Sequence, residues 1–155
     1  YTFWLLQGES EGAPVEVEHS AETVFDGNLL LLGFNLPTQV WHPGDVVPVT
    51  LYWQVTAATR SDAKVFLHLY DADGNLGPQS DGWPYYDTRP PYTWWPGEVV
   101  VDQRRVALPA DLPAGSYSLE VGLYDPTDGG RLSAFRKGDS QQQERVPLTV
   151  LTVME

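Results

Sequence analysis

Apolar and polar residues alternate along Val47-Pro-Val-Thr-Leu-Tyr-Trp-Gln-Val55, which places Val47, Val49, Leu51, Trp53 and Val55 on one face of an extended strand. The same period of two runs through Lys64–Tyr70. There Val65, Leu67 and Leu69 share one face, and Phe66, His68 and Tyr70 the other. It returns in Ser116–Tyr124, gathering Tyr117, Leu119, Val121 and Leu123. Further strands are expected over Glu98–Leu108, Arg131–Phe135 and Arg145–Val153. Between Glu22 and Leu36, an Asp26-Gly27-Asn28 turn separates Thr-Val-Phe from Leu-Leu-Leu-Leu-Gly-Phe-Asn-Leu. Apolar residues on both faces there predict a strand covered on both sides, or one that crosses between sheets. Turn chemistry at Pro43-Gly44-Asp45, Asp71-Ala-Asp-Gly-Asn75 and Leu112-Pro-Ala-Gly115 punctuates the rest. The pattern predicts an all-β chain: an antiparallel two-sheet β-sandwich of eight or nine strands, immunoglobulin-like or jelly-roll, which strand count does not separate. Residues 1–18, acidic and broken by Gly and Pro, read as a linker or a frayed first strand, and residues 19–155 as the sandwich domain.

Composition narrows the partners. The 155 residues make one domain of ordinary size, with 42% apolar residues and 14 Gly and 13 Pro spread along the chain. A net charge of −12 argues against nucleic acid and anionic membrane surfaces, and leaves cations and neutral ligands such as sugars. There is no cysteine, hence no disulfide, thiolate metal site or Cys nucleophile, and the compartment stays open. No run approaches the roughly 18 apolar residues of a membrane span, and Tyr1–Leu6 lacks the features of a signal peptide. A chain that begins at Tyr reads as a piece of something longer.

The densest stretch is Asp81–Gly97, with three of the six Trp, three of the eight Tyr and four of the thirteen Pro. Four prolines forbid a regular helix or a central strand, so a long, stiff aromatic loop is expected between two strands. Sugar rings present apolar C–H faces on which such rings stack. Trp83, Tyr85, Tyr86, Tyr92, Trp94 and Trp95 would supply the rings, and Asp81 and Arg89, with Gln79 and Asp87, the polar partners. The competing reading folds the rings back as a lid over one end of the sandwich, or sets them against a protein partner.

Catalysis and metal binding find less support. Asp71-x-Asp73-Gly-Asn75 starts like a calcium loop, but its Gly stands fourth rather than sixth and Gly82 occupies the twelfth position. A hairpin turn is the better reading. A sandwich-type calcium site using Asp71, Asp73 or Asp81 is the weaker alternative, and no other cofactor is expected. His19, His42 and His68 are scattered, and no nucleophile elbow, phosphate loop or dinucleotide fingerprint occurs. The chain is therefore read as non-catalytic, with no catalytic residue assigned.

Two sets of residues recur. Pro43-Gly-Asp-Val-Val47 returns as Pro96-Gly-Glu-Val-Val100, each after a Trp, and Leu69-Tyr-Asp71 returns as Leu123-Tyr-Asp125. This reads as two related strand–turn–strand halves or as re-use of the same turn chemistry. Taken in order, Gly27–Phe34, Pro43-Gly-Asp…Trp53, Val65–Leu69…Asp73-Gly74, Gln79-Ser-Asp81…Pro84, Trp95–Asp102, Leu112–Tyr117 and Val121–Pro126…Arg131-Leu132 form a longer series. The series resembles the soluble β-sandwich that follows the membrane-spanning part of large bacterial glycosyltransferases of the protein-mannosyltransferase type. The resemblance implies an extracytoplasmic accessory domain tethered to a membrane-spanning parent, with the transferase residues elsewhere in that parent. His68, Gln79, Asp81 and Asp102 match its pattern as polar positions without an implied role. The Trp and Tyr content between Gly82 and Trp95 exceeds what the pattern requires.

Overall fold

A computed structural model describes residues 2–4 and 14–155. The strands, in chain order, are β1 (Thr2–Trp4), β2 (Pro14–Glu16), β3 (His19–Phe25), β4 (Leu29–Asn35), β5 (Val40–Trp41), β6 (Val46–Val55), β7 (Lys64–Tyr70), β8 (Leu76–Gly82), β9 (Val100–Ala107), β10 (Gly115–Tyr124), β11 (Ala134–Arg136) and β12 (Val146–Val153). Ten of them form two five-stranded sheets, in the orders β5-β12-β10-β7-β8 and β11-β3-β4-β6-β9, while β1 and β2 pair separately. The all-β two-sheet sandwich expected from the alternation is what the chain adopts. One pairing departs from the antiparallel expectation, since the short edge strand β5 runs parallel to β12. Of the expected linker, residues 5–13 lie outside the described residues, and Pro14–Glu16 is strand.

Alternation places the core. Val47, Val49, Leu51, Trp53 and Val55 of β6 face Val65, Leu67 and Leu69 of β7 and Leu119, Val121 and Leu123 of β10, all essentially sealed from solvent. Burial of that apolar area is the main force holding the sheets together. The mixed pattern of β4 has a different cause from the crossing strand that was one of its two readings. The strand stays in one sheet, and its register against β6 shifts between Leu31 and Gly33. The bulge changes the parity, so Leu29 and Leu31 before it and Phe34 and Leu36 after it all reach the core. Gly33 is obligatory there, because a Cβ would run into the carbonyl of His19 and the side chain of Val17.

Strand β7 is buried on both faces. Phe66, His68 and Tyr70 lie on the outer face yet are covered, with the guanidinium of Arg131 4.5 Å from the Phe66 ring and that of Arg145 3.9 Å from Tyr70. His68 bridges this layer, its Nδ1 3.2 Å from the Tyr70 hydroxyl and its Nε2 3.1 Å from Asp81.

The edges β8 and β9 belong to different sheets and lie side by side along one flank of the sandwich. The connection between them, residues 83–99, carries the aromatic residues.

Candidate functional site

The flank has a charged seam where the two sheets would otherwise part. On β9 the core-facing parity reads Val100, Asp102, Arg104, Val106, so two ionisable residues sit where apolar ones are usual. Asp102 is 1% exposed, and its Oδ2 accepts from Arg104 Nε at 2.9 Å and from the Trp53 indole at 3.2 Å. Arg104 reaches across to the other sheet, donating from Nη2 to the carbonyl of Gly82 and from Nη1 to that of Ser80. Burial pushes the Asp102 carboxyl above the ordinary carboxylate range. The Arg104 guanidinium, the Trp53 indole and the backbone N–H of Tyr85 pull it back.

From Gly82 the chain enters a one-turn element, α1 (Pro84–Asp87), which is helical in hydrogen bonding and left-handed in conformation. Tyr85, Tyr86 and Asp87 have φ of 57°, 56° and 63°. A left-handed turn of residues carrying a Cβ costs roughly 1–2 kcal/mol per residue, so the surroundings must hold it. Asp87 Oδ1 accepts the Trp83 N–H at 2.8 Å, the Asp87 N–H donates back to the Trp83 carbonyl at 3.0 Å, and the Tyr86 hydroxyl donates to Gln103 at 2.8 Å. Proline at the first position of the turn pre-sets its entry.

The second half of the loop is an anchor. A 3₁₀ turn, Pro91–Thr93, leads into Trp94, which is 3% exposed and packs on Trp53 at 6.3 Å between ring centres. The Trp94 indole donates to the Arg89 carbonyl at 2.9 Å. Arg89 in turn pairs with buried Glu98 at 2.7 Å and donates to the Thr93 carbonyl and hydroxyl. Backbone bonds from Tyr92 to Ser61 and from Gly97 to Val55 tie the loop to the body.

The candidate residues therefore separate. Tyr85, Tyr86, Tyr92 and Trp95 are exposed, Tyr86 and Trp95 by more than 70%. Trp83 is half-buried, its indole on the Asp62 carbonyl and the Lys64 ammonium 4.6 Å from its ring. Trp94 belongs to the core and Arg89 to the frame of the loop, so neither presents itself to a ligand. Asp81 is part-exposed and held by His68. The Tyr85 and Tyr86 rings meet at 67° and 5.7 Å, edge to face and not coplanar.

A groove of about 610 Å³ runs along the flank beneath the turn and brings Asp81, Trp83 and Tyr86 together with Asp87, Gln103 and Arg105. Tyr85, Tyr92 and Trp95 stand outside that lining. Thr50, Ser80 and Arg105, which also line it, make no side-chain hydrogen bond or ion pair within the described residues. Thr50, Gln103, Arg104 and Arg105 were not foreseen from the sequence. The signal was faint, because in Val100-Val-Asp-Gln-Arg-Arg-Val106 only the two terminal Val mark the core-facing parity that Asp102 and Arg104 share.

The Asp71 turn is what it looked like. Asp71 Oδ1 accepts the N–H groups of Asp73 and Asn75, at 2.9 and 2.8 Å, and these bonds, that of Asn75 first, hold its carboxyl below the ordinary range. Asp81 is occupied elsewhere, on His68. Among the described residues no group of three or more His, Cys, Asp or Glu side chains is arranged to hold a metal ion. Nor is any helix among them long and apolar enough to cross a membrane.

No family model matches the chain, and no curated protein matches it. Among solved structures it is similar to the C-terminal domain of wzt, with a TM-score of 0.56 and 14% identity over 87% of this chain and 78% of that one. A CARDB domain from Pyrococcus furiosus, solved in complex with di-metal ions, aligns with a TM-score of 0.43 and 11% identity, covering 92% of this chain and 95% of that one. The first likeness is one of fold, a β-sandwich.

Proposed function

We propose that this sandwich is a non-catalytic accessory module that binds glycan along the β8–β9 flank. The observation that carries the reading is the groove itself. Two aromatic rings, Trp83 and Tyr86, line it together with hydroxyl and guanidinium groups, Thr50, Ser80 and Arg105, that have no side-chain partner among the described residues. A sugar ring needs that combination, with an apolar face to stack and directional donors and acceptors for its hydroxyls. The exposed rings of Tyr85, Tyr92 and Trp95 extend the aromatic surface beyond the groove. The carboxylates present are committed to other bonds, Asp102 to Arg104, Asp81 to His68 and Asp87 to the Trp83 N–H, which supports binding over bond cleavage. The net charge of −12 favours a neutral glycan over a polyanion.

The resemblance of the motif series to the protein-mannosyltransferase type supports, within the same proposal, an extracytoplasmic module of a membrane-tethered parent. The second reading, a structural or protein-docking sandwich with the loop as a core lid, draws on Trp94, whose ring does close the core.

Tryptophan fluorescence and calorimetry with a panel of mannose- and glucose-type oligosaccharides separate the two. Binding is expected to protect the exposed Trp emission from acrylamide, and Tyr86→Ala is expected to weaken it about tenfold, equivalent to about 1.4 kcal/mol. Indifference to every sugar would leave the docking reading.

A further inference from the structure

Three successive residues of β9 converge on the aromatic turn. Arg104 holds the Gly82 carbonyl at its entry, Gln103 accepts the Tyr86 hydroxyl, and Asp102 fixes the Arg104 guanidinium. Asp102 and Arg104 form an ion pair sealed from solvent, and such a pair rarely adds stability over apolar residues of the same size. The alternative arrangement is visible in the same strand, where Val100 and Val106 fill equivalent core-facing positions with apolar side chains. Two charges have been set on β9 where Gly82 leads into the turn, and both line the groove with Gly82 and Tyr86.

We infer that the buried Asp102–Arg104 pair is the positioning device of the site, holding Tyr85, Tyr86 and Asp87 in their left-handed conformation so that the Tyr86 ring stands over the groove. The pair reaches the turn through the backbone carbonyl of Gly82. Neither residue is assigned contact with a ligand. The inference rests on the glycan reading only for the last step, from ring position to affinity. The position of the turn is a property of the free protein.

The test reads φ at Tyr85, Tyr86 and Asp87 from backbone chemical shifts and φ-sensitive scalar couplings in the intact chain. Wild type is expected to show positive φ at all three. Asp102→Leu combined with Arg104→Met removes both charges and leaves none unpaired. It is expected to keep the shifts of core residues such as Leu51 and Leu67 while the three positive φ values are lost. Asp102→Asn, which keeps the shape and removes the charge, is expected to move the turn in the same direction. Positive φ surviving at all three positions in a variant with an intact core overturns the inference, and so does its absence from wild type, which needs no variant at all. Oligosaccharide titration of the same proteins separates the two proposals. At least a tenfold loss of affinity in the double variant is expected if wild type binds. A wild type that binds no sugar defeats the glycan reading and leaves the φ measurement to decide the positioning device alone.

Discussion

Trp94 and Trp95 are neighbours with the same side chain and opposite duties. Trp94 fills the space against Trp53, and its indole is bonded to the Arg89 carbonyl, whereas Trp95 lies open to solvent. Trp94→Ala is expected to lower unfolding free energy by about 3–5 kcal/mol, and Trp95→Ala by no more than about 0.5. Chemical denaturation of the two variants checks both values. Nothing in the residue types distinguishes the pair. The direction of each ring is set by the Arg89–Glu98 contact, which links residues nine apart and leaves no periodic trace. Asp71 provides a second prediction at this scale. Its folded-state pKa lies below the unfolded one, so the stabilisation from its ionised form is complete above the unfolded value and is lost as pH falls through the folded value. Wild type should therefore melt higher than Asp71→Asn near about pH 7, and the gap should close towards about pH 3. Calorimetric scans of both proteins across that range provide the comparison.

Among the elements, those with a strict period were legible and those held by backbone pairing alone were not. Strand β6 announces itself because every second side chain must be apolar to face the opposite sheet. Strand β8, Leu-Gly-Pro-Gln-Ser-Asp-Gly, buries no run of apolar side chains and exists by pairing with β7. It carries no periodic signal, although Gln79 and Asp81 on it were already candidate polar partners. The aromatic connection was recognisable as long and stiff from its prolines, but its left-handed turn was not, since two of its three positive-φ residues are Tyr, which has no preference for that region. The connection has its own keystone in Arg89, which bonds Thr93 and buried Glu98. Arg89→Ala leaves Glu98 without its counter-charge and is expected to cost about 1–3 kcal/mol. Limited proteolysis should then cut between Thr88 and Trp95, where wild type is expected to resist.

At the scale of the whole molecule, the repeated motifs mark equivalent places. Pro43-Gly-Asp leads into β6 and Pro96-Gly-Glu into β9, and β6 and β9 pair with each other in one sheet. Leu69-Tyr-Asp ends β7 and Leu123-Tyr-Asp ends β10, and these two pair in the other sheet. Each sheet thus contains one antiparallel pair of like strands, and the repeat has a structural counterpart beyond shared turn chemistry. The aromatic connection breaks this likeness, because it precedes only the second unit.

The split between anchored and free rings bears on how such a module changes over generations. Arg89, Trp94 and Glu98 are fixed by what they hold together, so drift there is purged through loss of folding. The side chains of Trp95, Tyr92 and Tyr85 make no hydrogen bond among the described residues, and a lineage can replace them singly while the sandwich stays intact. Under the proposed glycan reading, recognition can then wander from one sugar to a related one by small steps, each taken by a folded protein.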